Sequence, residues 1–160
     1  MPTELEDLKI LQSAESIADA IWKHVVQWDE FAKDVVGKQL ARATDSIGAN
    51  IAESYGRFNY GEKLQFLYYS RGSLFETKYW LNRASTRELM QAEEVKAYTA
   101  RLSDVARQLN TFANSLKSQR KDDKAQSKSI REPSAEYKVD DFASDVDSLF
   151  NNAEINWLEN

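Results

Sequence analysis

Between Pro2 and Pro133 the chain runs without a single proline, and the whole sequence holds only five glycines. Proline and glycine are the residues that most strongly end helices and shape turns. So long a stretch with so few breakers favours a small number of long helices over a strand-and-turn fold. Apolar residues fill 42 % of the 160 positions, enough for a core in one domain with an appendage.

Four segments carry helical period. The first, about Glu4 to Trp28, has Leu11, Ala14, Ala18, Ile21, Val25 and Trp28 at spacings of three and four. The second, about Glu30 to Phe58, has Leu40, Ala43, Ile47, Ile51, Ser54 and Phe58, with Gly56 and Gly61 bracketing its end. The third spans about Glu62 to Ala84. Ser85 then offers an N-cap, with Glu88 three positions on. The fourth, about Glu88 to Ser118, has Val95, Tyr98, Leu102, Val105, Leu109, Phe112 and Leu116. Four such stripes with short connections predict an all-α, antiparallel, up-down-up-down four-helix bundle over residues 1–118.

The third helix is apolar on two faces. Leu64, Leu67, Tyr68, Leu74, Phe75 and Leu81 form one stripe; Phe66, Tyr69, Ser73 and Trp80 form another. One bundle core cannot bury both. The second stripe is therefore expected at an oligomer interface, because aromatic patches of this size mark contact surfaces; the alternative is a wide core face with a few exposed tyrosines.

Past Ser118 the composition changes. Residues 119–134 are polar and charged and read as a disordered linker. Residues 135–160 read as an acidic amphipathic tail: Phe142, Val146, Leu149 and Phe150 are spaced four, three and one, and Ile155, Trp157 and Leu158 follow. Such a tail either folds on a partner, with Phe142, Val146, Leu149, Phe150 and Trp157 as its contacts, or packs on its own bundle. The formal net charge of −5 divides unevenly. Residues 1–118 hold 15 basic and 16 acidic side chains, 119–131 hold five and two, and 132–160 hold one and eight. The global charge thus says little about partners.

Several chemistries are excluded. With no cysteine there is no disulfide and no thiolate zinc site. No apolar run approaches the ~20 residues of a membrane span, and the acidic start is unlike a secretory signal. A cytoplasmic chain without membrane partners is expected. His24 is the single histidine, and no glutamate precedes it by three, so the di-iron bundle motif is absent. The glycines are scattered, so no phosphate loop forms. No catalytic residue, metal or cofactor is expected. The best polar constellation is Arg42, Ser46, Asn50, Glu53 and Arg57, one continuous row along the second helix. It is either a solvated face with Glu53–Arg57 paired or a packing row at a helix boundary.

Gln39-Leu40-Ala41-Arg42-Ala43, Ser46-Ile47, Asn50-Ile51-Ala52-Glu53 and Tyr55-Gly56-Arg57 resemble the signature of the 23S ribosomal RNA intervening-sequence proteins. The run from Phe66 to Glu76, Phe-Leu-Tyr-Tyr-Ser-Arg-Gly-Ser-Leu-Phe-Glu, is similar to the family's second block, and Asp7-Leu8-Lys9 to its opening. The resemblance covers about residues 5–118. Ser54 stands where the family commonly has glycine, and the residues after Ser118 have no counterpart in the usual compact members. The family includes the accessory proteins of diversity-generating retroelements. The resemblance implies a homopentameric ring without known enzymatic activity. For the accessory branch it implies contacts to a reverse transcriptase and to nucleic acid through basic surfaces.

Two functions follow as expectations. In the first, an accessory protein binds nucleic acid or a reverse-transcriptase-type partner. Its contacts would be Arg42, Arg57, Lys63, Arg71, Lys78 and Arg83, repeated around the ring, with Ser46, Asn50, Glu53 and Glu76 as a polar packing row. In the second, a scaffold displays acidic tails to a protein partner.

Overall fold

The computed structural model describes residues 4–128 and 148–160, and both parts are helical. A 3-10 turn at Leu5–Asp7 leads into α1 (Lys9–Val25). A short α2 (Glu30–Ala32) continues through a π turn (Lys33–Gly37) into α3 (Lys38–Gly56). Then come α4 (Tyr60–Thr86), α5 (Ala92–Lys128) and a last helix, α6 (Asn152–Glu159).

Each connection has a local cause. Asp29 caps α2 by accepting from the Ala32 N–H at 3.0 Å, and Asn59 caps α4 by accepting from the Gly61 N–H at 2.8 Å. The α4–α5 turn closes with Leu89 N–H donating to Ala84 O and Glu88 N–H to Ser85 O. These bonds form a Schellman ending, and they place Glu88 at φ 58, in the left-handed region.

Cross-helix contacts fix the register. Gly37, at the end of the π turn, approaches Val25 at the end of α1, and Gly48 of α3 approaches Leu11 near the start of α1, so α1 and α3 run antiparallel. On α3 and α4, Ser54 Oγ donates to Lys63 O at 2.8 Å and Ser70 Oγ to Ile47 O at 3.0 Å. On α1 and α5, Ser13 meets Gln108, and Arg101 donates to Ser16 at 2.7 Å. On α4 and α5, the Tyr60 hydroxyl donates to Asp123 at 2.7 Å. Each long helix therefore packs on two antiparallel neighbours, as an up-down-up-down bundle requires. Ile21, Leu40, Ile47, Ile51, Leu67, Leu74, Leu102 and Leu109 lie at its centre, fully buried.

Three boundaries differ from the sequence expectations. Ser85 lies inside α4, and α5 begins at Ala92 rather than near Glu88, because the Schellman turn occupies the interval. Residues 119–128, expected within a disordered linker, continue α5. Their Lys, Arg, Gln and Ala favour helix once the Leu116 turn has nucleated it, and Asp123 is tied to Tyr60. Residues 129–134 of that linker, and Phe142 and Val146 of the tail, lie outside the described residues.

Candidate functional site

The most structured surface lies where α4 and α5 meet the chain's C-terminal segment. Positions 71, 75 and 78 of α4 recur at helical spacing, so Arg71, Phe75 and Lys78 share one face. On α5, Thr99, Arg107 and Asn110 line the other side. Leu149, Phe150, Ile155 and Leu158 bury themselves between.

The segment is held by its backbone as much as by its side chains. The Asn110 amide donates to Phe150 O at 2.9 Å and accepts from the Phe150 N–H at 2.8 Å. Arg71 Nε donates to Leu149 O at 2.7 Å, and Thr99 Oγ1 to Glu159 O at 3.0 Å. Asn151 and Glu154 form a capping box that starts α6. Glu154 does two things at once: Oε2 accepts from the Asn151 N–H at 2.9 Å, while Oε1 pairs with the Arg71 guanidinium. Glu159 reaches Arg107 at 3.3 Å.

Aromatic rings complete the seal. Phe75 stacks against Phe150 at 5.8 Å and against Trp157 at 5.4 Å between centroids. The Arg71 guanidinium lies over Phe75 at 4.8 Å and over Phe150 at 5.5 Å. Lys78 Nζ sits 5.7 Å from the Trp157 ring, and the residue is only 3 % exposed. Burial holds its ammonium below the ordinary lysine range.

The remaining cations of the sequence-derived set lie elsewhere. Arg57 pairs with Glu53 one turn back and covers the Phe66 ring at 4.7 Å. Lys63 is half-buried near the start of α4. Arg83 lies 5.9 Å from the Tyr79 ring. Arg42 is exposed and borders a groove of about 410 Å³ with Trp22, Val26, Lys33, Gly37 and Ala41. The six cations do not converge on one pocket; Arg71 and Lys78 alone are brought together, under the tail.

In the polar row, Asn50 donates to Ser46 O at 2.8 Å and Glu53 is taken up by Arg57. Glu76 is exposed and accepts weakly from the Trp80 indole at 3.4 Å. In the expected interface stripe, Tyr69 is exposed, Phe66 and Trp80 are half-buried, and Ser73 is buried with its hydroxyl on Tyr69 O. The two-faced apolar pattern of α4 has an additional cause: its Phe75 face is covered by the chain's own tail. Leu149 and Phe150, named as contacts for a partner, are turned into that groove, while Trp157 is still 47 % exposed.

Sequence reasoning missed Asn110, whose amide reads the Phe150 backbone. A polar residue flanking the Leu109 stripe gives no signal of a tertiary bond. It also missed the exposed Trp22, Val26, Phe31 and Val35. Phe31 sits beside a π turn and Val35 within it, and the turn shifts the helical period away from a 3.6-residue template.

His24 lies 3.7 Å from Glu94 and edge-on to Tyr98 at 5.7 Å. Among the described residues no cluster of His, Asp and Glu could hold a metal, and no helix is long and apolar enough to cross a membrane.

Fold and site together define a class: a four-helix bundle bearing a peptide-filled groove lined by cations and aromatic rings. Residues 6–111 match the family described as 23S rRNA-intervening sequence protein, and the chain belongs to it. The match reaches into all four bundle helices and stops within α5, short of α6. No curated protein matches the chain.

Proposed function

We propose that this protein is a non-catalytic, oligomeric accessory protein that binds nucleic acid through cations of α3, α4 and α5, with a reverse-transcriptase-type protein as a further partner. The family description, with its ribosomal RNA context, supports an RNA-related role. The observation that carries the reading is the position of the tail's carboxylates. Glu154 lies on Arg71 and Glu159 on Arg107, where the oxygens of a phosphate chain would also find guanidinium donors. The tail therefore occupies a phosphate-compatible surface and competes for it. Binding through such contacts is weak, salt-sensitive and indifferent to sequence, because cations that meet phosphate oxygens position a nucleic acid without reading its bases. The scaffold reading needs tail side chains that face outward, and the burial of Leu149 and Phe150 favours the first reading over it.

Purification from the native host, with and without nuclease treatment, tests this. RNA or DNA should co-elute with the untreated protein and vanish after nuclease. A protein that elutes free of nucleic acid in both preparations, yet carries a stoichiometric protein partner, replaces this reading with the scaffold.

A further inference from the structure

We infer that the α4–α5 groove is a peptide-binding site, with residues 148–160 as its tethered ligand, and that copies of this chain trade these tails. The inference is independent of whether nucleic acid binds. Three observations carry it. First, the groove reads the segment the way a receptor reads a peptide. Asn110, Arg71 and Thr99 engage its backbone, Phe75 offers a ring against which Phe150 and Trp157 stack, and Arg71 and Arg107 take its two side-chain carboxylates. Second, the segment brings its own order. The Asn151–Glu154 capping box joins two groups of the segment itself at the start of α6, and Arg71 then takes the second Glu154 oxygen. Third, the covalent tether has slack. From Asn110 to Lys128 the helix spans roughly 27 Å, at 1.5 Å per residue. The chain from Lys128 to Ser148 can cover roughly 65 Å at full extension. Ample length remains to reach a groove on an adjacent copy.

The occupant in trans is the tail of a second copy, since the same residues and the same carboxylates fit the same groove. In an isolated chain the tether gives the chain's own tail the advantage of effective concentration. In an assembly the two placements make identical contacts, so only the tether geometry decides between them.

Two full-length variants test this by complementation. The donor carries Arg71→Ala and Asn110→Ala, which disable its groove and leave its tail intact. The acceptor carries Phe150→Asp and Trp157→Asp, which release its tail and leave its groove open. Hydrogen exchange is followed in residues 148–160 of the donor. Protection should rise at least ten-fold on adding acceptor and several-fold less on adding wild-type chain, whose groove is already filled. No gain in protection up to the effective concentration of a tethered tail, on the order of millimolar, overturns the inference. Equal protection from acceptor and wild type overturns it as well, because the tail would then be docking elsewhere. If circular dichroism finds either double variant unfolded, the single changes Asn110→Ala and Trp157→Ala take their places, with the same outcomes decisive.

Discussion

Glu88 occupies the position at which a Schellman ending ordinarily has glycine, and its φ of 58 places it in the left-handed region. A side chain there costs roughly 1–2 kcal/mol relative to an unstrained residue. Glu88→Gly should therefore stabilise the bundle by about 1 kcal/mol, seen as a higher urea midpoint at unchanged slope; a lower midpoint would mean that the turn is not strained. Gly37 presents the opposite case. A Cβ there would meet Val25 Cγ1 at 2.7 Å, so Gly37→Ala should cost about 1–3 kcal/mol by overpacking, read from the same titration. Neither effect is legible in the sequence. Glu88 looks like the third residue of a capping box begun at Ser85, and Gly37 looks like a random interruption of helical period. Lys78 is the third instructive residue. Its pKa is lowered by burial from 10.5, so the unfolded chain binds the more protons as pH climbs toward that value. Stability from this group therefore rises as pH climbs through its lowered folded-state pKa and levels off above about 10.5. Lys78→Met should remove that rise, visible as a smaller difference between urea midpoints at the two ends of the window. An undiminished difference would show that Lys78 is hydrated in the fold.

At the scale of elements, the stripes of Leu, Ile and Val fixed which faces pack. Ile21, Ile47, Leu67 and Leu102, each flagged by spacing or pattern, are all fully buried. The ends were less legible. A helix that outruns its apolar stripe, as α5 does to Lys128, depends on propensity and on a single distant bond, here Tyr60 to Asp123. The tail was legible as amphipathic, with docking on its own bundle one of two readings left open; where it docks was not legible, because its receptor is assembled from positions about forty and eighty residues away. Removing everything after Lys128 should leave the bundle helices in place. It should lower the melting temperature by several degrees, since the burial of Phe150, Ile155 and Leu158 is lost. Far-ultraviolet circular dichroism and a thermal melt check this. Loss of most helical signal would make the tail an integral part of the core.

For the molecule as a whole, Tyr69, Tyr79, Trp22, Val26, Phe31 and Val35 stand exposed, the kind of side chain that contact surfaces between subunits cover. An assembly larger than a dimer, a pentamer by the family resemblance, should appear in light scattering, and Tyr69→Glu or Trp80→Glu should dissociate it. A monomer mass at micromolar concentration would contradict the assembly. Arg71 and Lys78 are proposed as part of a nucleic-acid surface that the tail covers. The most direct measurement is RNA binding by the full chain and by its Phe150→Asp, Trp157→Asp variant, across salt from about 50 to 200 mM. The account predicts tighter binding when the tail is released, a steep loss of affinity with salt, and loss of binding when Arg71→Glu is added to the released variant. Absence of RNA binding by the tail-released chain at the lowest salt, with its helices intact, would contradict it.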